Sequence, residues 1–379
     1  MVHKILFLDH APGLGGAEHS LLLILKHLNR AKWQPHLACA GGPLAEEAAQ
    51  LNTSVHILAM PRLRRSPRFL FDWVEGVRDI ARLVRQSGAA LLYANTIRAA
   101  FYGAPAAHWA GLPFIWQMRD FWLGESRPRH LWLDAWGKRW LCAMAHHVIA
   151  NSQAVAAHLP CPHKVTVNYN GVELERFDPT MDGQPFRKQY RIPNAAPLVG
   201  MVGRLRPWKG QERFLRAMAR VQAKVPEAWF VLVGGAVFDA DDEYANQLRT
   251  LATNLGIAGQ VVFTRHLADV RPAFAAMDVF VHPGDPEPFG LVNIEAMAMA
   301  KPVVAFAHGA LPEIVTDRET GLLVPPEDES ALAEAVVTLL HEPTLRKTMG
   351  LAGRSRVETY FTAQRMVQSV EEILEEALR

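Results

Sequence analysis

The residues best suited to chemistry lie in three loops. The first is Glu287-Pro-Phe-Gly-Leu-Val-Asn-Ile-Glu295. Pro288 and Gly290 allow a tight approach, and the first amides of a helical pattern starting near Leu291 could meet an anion. Glu295 lies about one turn inside that pattern, among Ile294, Ala296 and Met297, where solvation is a poor reason for a carboxylate. It can accept two hydrogen bonds from a vicinal diol such as a ribose. For an isolated Glu a helix-surface charge is the more common reading; the combination argues for a site. The second loop, Gly203-Arg-Leu-Arg-Pro-Trp-Lys-Gly210, carries Arg204 and Lys209, which can converge on a pyrophosphate through charge-assisted hydrogen bonds or simply be solvated. The third, Pro12-Gly-Leu-Gly-Gly-Ala-Glu18, follows an apolar run and leads into a helix pattern. It reads as a tight turn or as an anion-binding loop. A dinucleotide fingerprint fails, because Glu18 replaces the third small residue and the next strand ends in Ala38-Cys-Ala-Gly41 with no acid.

Asp239-Ala-Asp241 imitates a metal-binding acid pair, yet Asp just before a helix is a common N-cap, and no metal is expected to be required. Cys39, Cys142 and Cys161 are odd in number and nowhere at metal-ligand spacing, which fits a reducing cytosol and excludes a zinc finger. Forty basic against 38 acidic residues give a net charge of +2, which does not suggest a nucleic-acid partner. No apolar run reaches the ~20 residues of a membrane span, and Met1–Asp9 lacks a signal-peptide layout.

Each loop follows a short apolar run. Strands are expected at Lys4–Leu8, His36–Ala40, Val55–Ala59, Ala89–Tyr93, Phe114–Met118, His147–Ala150 and Lys164–Val167. A second series comprises Leu198–Val202, Trp229–Val233, Val261–Phe263, Val279–His282, Val303–Ala305 and Leu322–Val324. Between them lie 3.6-residue patterns such as Ala17–Leu28, Trp73–Val84, Glu212–Gln222 and Leu291–Ala300. The alternation predicts an α/β protein of two doubly wound, Rossmann-like domains facing across a cleft. Asp178–Pro197, rich in proline and without a period, reads as the linker. The domains are placed at residues 1–185 and 186–359, and ligands are expected beyond the strands' carboxyl ends.

Seven segments, in order and at matching spacing, make the chain resemble a family 4 glycosyltransferase of the GT-B fold. They are Gly15-Gly-Ala-Glu18, Val148-Ile-Ala-Asn-Ser152, Asn170–Phe177, Gly203-Arg-Leu205 with Lys209-Gly210, the Glu-x7-Glu at 287 and 295, Leu311-Pro-Glu-Ile-Val315 and Gly321–Pro326. The resemblance implies a retaining enzyme that moves a hexose-type sugar from a nucleotide-diphosphate donor to a glycan, glycolipid or small-molecule acceptor. The donor is a co-substrate, and no cofactor is implied. Arg204 and Lys209 would grip the diphosphate, Glu295 the ribose and Glu287 the donor sugar, with amides at Phe289, Gly290 and Leu291 and at Gly15 and Gly16 completing the pocket. The final helix, about 360–379, would cross back onto the first domain. Three positions depart from the family pattern. Met118-Arg119-Asp120 puts Arg119, beside Asp120, where many members have His near the donor sugar; Ala300 replaces a Gly; and Arg265 replaces a Gly beside the expected base pocket. A 2-epimerase-like enzyme and a silent nucleotide- or glycan-binding protein are the alternatives.

Trp109–Trp140 contains six of the ten tryptophans, and Leu133, Trp136, Trp140, Leu141 and Met144 recur at helical spacing. That face reads as buried core, or as an acceptor groove or membrane-facing surface. Arg62, Arg64, Arg65 and Arg68 support the second reading: an anionic or lipid-linked acceptor at the inner face of the cytoplasmic membrane.

Overall fold

Short aliphatic runs separated by amphipathic helices fold into two all-parallel sheets. The computed structural model describes residues 2–62, 68–124, 127–235 and 242–379. The chain divides into one unit made of the residues up to Gly171 together with Ala363–Arg379, and a second made of Val172–Thr362.

In the first unit β1 (His3–Leu8), β2 (Trp33–Cys39), β3 (Ser54–Ile57), β4 (Leu91–Ala94), β5 (Phe114–Met118), β6 (His147–Ala150) and β7 (Val165–Val167) pair in the order β3-β2-β1-β4-β5-β6-β7. Alternation along β1 decides the two cores. Ile5 and Phe7 join helices α1 (Gly16–His27) and α2 (Pro43–Gln50) on one face. Leu6 and Leu8 join α3 (Phe69–Ser87), α4 (Ile97–Ala110) and α5 (Leu131–Met144) on the other. A short α6 (Gln153–Ala156) precedes β7.

The second unit begins with α7 (Gln184–Gln189), then alternates β8 (Leu198–Val202), α8 (Gln211–Lys224), β9 (Trp229–Val233), α9 (Asp242–Asn254), β10 (Val261–Phe263) and α10 (Arg271–Ala276). It continues through β11 (Val279–His282), α11 (Leu291–Ala298), β12 (Val303–Phe306), α12 (Leu311–Ile314), β13 (Gly321–Val324), α13 (Glu329–His341) and α14 (Pro343–Tyr360). Its strand order is β10-β9-β8-β11-β12-β13. The strand order therefore reverses between β1 and β4 in one sheet and between β8 and β11 in the other, the places where open α/β sheets bind ligands. The last helix, α15 (Ala363–Ala377), belongs to the first unit: Met366, Val370, Ile373 and Leu374 enter the core beside α1, and Lys32 pairs with Glu375 at 2.7 Å.

Three expectations need correction. The supposed linker Asp178–Pro197 is part of the second unit. Its order comes from Phe186 and from one buried guanidinium rather than from an apolar stripe. Arg187 donates to Ala276 O at 2.7 Å, Ala196 O at 2.8 Å and Asp278 Oδ2 at 3.1 Å, and Gly183 lies where a Cβ would come within 2.5 Å of the Ala276 backbone. Cys142 and Cys161, which carried no hint of oxidation in the sequence, are joined in a disulfide that ties the end of α5 to the segment before β7. The aromatic face of α5 divides. Leu141 is buried and Trp140 stacks on Phe101 at 5.7 Å, whereas Trp132 (68 % exposed), Leu133 and Trp136 (61 %) face solvent. Among the described residues, no helix is long and apolar enough to cross a membrane.

Candidate active site

In the second unit the loops after β8 and β11 are locked together before any ligand is considered. Asp285 N donates to Trp208 O at 2.7 Å, and Arg213 Nη1 reaches Asp285 Oδ1 at 2.7 Å. Gly210, at φ 81°, starts α8 so close to the other loop that a Cβ would lie 2.1 Å from Pro283 O; only glycine fits. Gly309, at φ 56°, similarly admits the Glu287 backbone, whose carbonyl accepts from Ala310 N at 2.9 Å.

This frame brings Lys209 and Glu287 into a close ion pair, with only 21 % and 13 % of their side chains exposed. His282, the buried last residue of β11, places Nε2 3.5 Å from Glu287 Oε1. Burial pushes the Glu287 carboxyl up, but the Lys209 ammonium and His282 outweigh it and hold it well below the usual carboxylate range. Glu287 is therefore an anion across the working pH range. His282 was not singled out in the sequence, although a histidine closing an apolar strand was the available signal.

Gly290, at φ 85°, opens α11, and the first-turn amides of Leu291 and Val292 have no intrahelical acceptor. The Phe289 ring is buried against Phe361, so it presents backbone rather than side chain. Glu295 stands one turn further along, partly accessible, with buried Ile294, Ala296 and Met297 around it. Burial pushes its carboxyl up to about 7, with Arg176 opposing. Arg204 is exposed at the end of β8, its carbonyl fixed by Gln211 Nε2 at 2.8 Å. Gly234 packs so tightly there that a Cβ would lie 1.9 Å from Gly203 O. Arg265 is exposed just beyond Thr264, whose hydroxyl accepts from Gly234 N at 3.2 Å. Asp239 and Asp241, read as helix-start residues, lie outside the described residues, as do Arg64 and Arg65.

In the first unit two assignments change. Gly15 N donates to Glu18 Oε2 at 2.8 Å, so this amide is taken by the helix's own acid rather than left for a phosphate. Arg119, read as a group near the donor sugar, is buried beneath that loop: Nε and Nη2 reach Asn95 Oδ1 at 3.1 and 2.8 Å, and Nη1 reaches Asn170 Oδ1 at 2.8 Å. Asn95 in turn donates to Asp9 Oδ2 at 2.6 Å, and burial followed by repulsion from Glu18 lifts Asp9 to about 7. Arg119 offsets the charge of Glu18 and Asp9 around it. Asp120, next to it, is only partly buried.

The sequence matches two families along its length: Glycosyltransferase Family 4 over residues 14–176 and Glycosyl transferases group 1 over residues 182–356. The chain is a family 4 glycosyltransferase. Among relatives of this enzyme, a lipopolysaccharide core biosynthesis mannosyltransferase of Rhizobium meliloti is 28% identical over 265 residues, 69% of this chain and 74% of that one. A GDP-mannose-dependent alpha-(1-6)-phosphatidylinositol monomannoside mannosyltransferase of Mycolicibacterium smegmatis is 38% identical over 194 residues, and the match spans about half of each chain, 48% and 49%. The crystal structure of Anabaena HepE in complex with UDP and glucose superposes with a TM-score of 0.84 at 28% identity, over 98% of this chain and 99% of that one. The glycosyltransferase thus has the GT-B fold.

Proposed function

We propose that the enzyme transfers a hexose of the mannose or glucose type from its nucleotide diphosphate to a lipid-linked or glycan acceptor, with retention at the anomeric carbon and without a required metal. The observation that carries this is the Lys209–Glu287 pair at the β8/β11 reversal, with Arg204 on the same loop as Lys209 and α11 opening just after Glu287. Cleaving the anomeric bond builds charge on the leaving diphosphate. Arg204, Lys209 and the α11 amides are preorganised donors for that charge, which is where an electrostatic contact lowers a barrier. Glu287, fixed as an anion, accepts from donor-sugar hydroxyls, and Glu295 accepts from the ribose diol. In the retaining reading the acceptor attacks from the face the diphosphate leaves, and a diphosphate oxygen takes its proton, so no protein base is needed.

Exposed apolar side chains at the start of α5 (Leu131, Trp132, Trp136) alternate along the chain with exposed Arg127, Arg129 and Arg139. Aromatic groups with basic neighbours suit a lipid headgroup boundary, which supports peripheral attachment at the cytoplasmic membrane face. The test is a thermal-shift and hydrolysis panel of UDP-, GDP- and ADP-sugars. Stabilisation by one base series, with slow release of free sugar of unchanged anomeric configuration, is expected. A free 2-epimer, or binding with no hydrolysis or transfer, overturns the assignment.

A further inference from the structure

The loop after β5 is held by a pair of charges that the donor reading leaves unused. Asp134 and Lys138, one turn apart on α5, pair at 2.7 Å with only 5 % and 4 % of their side chains exposed. Taking two charges out of water costs more than their attraction returns unless their remaining bonds are made as well. Here those bonds run to three consecutive loop residues. Lys138 Nζ donates to Phe121 O at 2.6 Å and lies 5.0 Å over the Trp122 ring, and Asp134 Oδ1 accepts from Leu123 N at 2.7 Å. What the pair specifies is therefore the shape of Phe121–Leu123. This loop leaves the carboxyl end of the first sheet, where open α/β sheets take their ligands, and it presents two partly accessible aromatic rings there.

Both rings meet His158, an exposed residue that follows α6 beyond the neighbouring strand β6. Its ring centroid lies 5.1 Å from that of Phe121 and 5.5 Å from that of Trp122, the latter with the planes at 80°. His158 Nδ1 stands 2.9 Å from Ala154 O; a carbonyl only accepts, so Nδ1 carries the hydrogen and the neutral ring leaves Nε2 as a bare acceptor. Lys138 is buried, so the Trp122 face it covers is the inner one, and among the described residues nothing accepts from the Trp122 indole N–H. Aromatic surface with one donor and one acceptor beside it matches a pyranose, whose C–H face is apolar and whose hydroxyls both donate and accept. We propose that Phe121, Trp122 and His158 form a subsite for a pyranose ring of the acceptor glycan. This rests on the glycan-transfer reading above and adds to it the residues that grip the acceptor. All three lie in the first unit, whereas Arg204, Lys209, Glu287 and Glu295, assigned to the donor, lie in the second.

The test follows tryptophan indole N–H signals by NMR in the full chain, with Trp122→Phe supplying the assignment of Trp122. Methyl α-mannopyranoside, methyl α-glucopyranoside and methyl α-galactopyranoside are titrated separately, beside sorbitol, a polyol with hydroxyls but no ring face. A saturable shift of the Trp122 signal in the millimolar range with at least one pyranoside, and none with sorbitol, is expected. His158→Ala should weaken that binding about tenfold, the worth of one hydrogen bond, while the other indole signals stay in place and show that the variant is folded. A Trp122 signal that no pyranoside moves, one that sorbitol moves equally, or binding undiminished in His158→Ala overturns the subsite. Failure of the wild type to transfer from either UDP-glucose or GDP-mannose would instead strike the transfer reading, and the titration would still decide whether the sugar subsite exists.

Discussion

Replacing Glu295 with Gln should stabilise the protein at high pH and leave it unchanged at low pH. The Glu295 carboxyl is raised from 4.5 to about 7 by burial. The folded state thus holds this proton more tightly than the unfolded chain. Below pH 4.5 both states are protonated and the group contributes nothing; between 4.5 and 7 the unfolded state alone ionises, so folding stability falls as pH rises. Above pH 7 the loss is complete. A shift from 4.5 to about 7 at 1.36 kcal/mol per unit is roughly 3 kcal/mol. Glu295→Gln removes the ionisation and keeps the shape, so urea melts should show it more stable than wild type by up to roughly 3 kcal/mol at pH 8 and about equal at pH 4.5. The same carboxylate is the form that accepts from a ribose diol. Nucleotide affinity of the wild type should therefore drop up to tenfold per unit below pH 7, while the variant binds weakly and without that slope. A variant no more stable at pH 8 than at pH 4.5, relative to wild type, would refute the reasoning, because the carboxylate would then be compensated in the empty site.

Removing Arg187 should cost about 3–5 kcal/mol, since Asp278 and the carbonyls of Ala276 and Ala196 lose a buried donor; chemical denaturation of Arg187→Ala checks this. Transfer activity should survive excess EDTA, because Arg204 and Lys209 supply positive charge at the diphosphate; loss on chelation with recovery on adding magnesium or manganese would contradict it. Trp132→Ser/Trp136→Ser should reduce binding to anionic liposomes while leaving nucleotide affinity alone, and equal liposome binding by variant and wild type would remove the attachment surface.

Much of the fold was legible because parallel strands buried on both faces read as continuous apolar runs. Phe114–Met118, Leu198–Val202, Trp229–Val233 and Val279–His282 begin and end as their apolar runs do. Elements held by something other than an apolar stripe were not legible. α7 depends on the Arg187 hydrogen bonds, and α14 crosses its neighbours through Gly350 and Gly353, the former at a spot where a Cβ would lie 2.1 Å from Ala300 O. Ala300 itself adopts φ 53°, a left-handed conformation that explains why glycine is the easier residue there. In the site, spacing drew attention to Glu287, Glu295, Arg204 and Lys209. It could not show that Lys209 and Glu287 pair or that Arg119 lies under the loop, because each depends on which strands are neighbours in the sheet.

The central claim is that Glu287 acts on the donor sugar as it reacts, and steady-state kinetics of Glu287→Gln with the identified donor tests it most directly. The substitution keeps the shape and one acceptor oxygen, and it releases Lys209 from its ion pair, so nucleotide affinity measured by calorimetry should hold or improve. Contacts made only in the transition state appear in kcat, so turnover should fall by a factor on the order of 100 or more, the loss associated with one preorganised electrostatic group. Near-normal turnover in the folded variant would contradict the account.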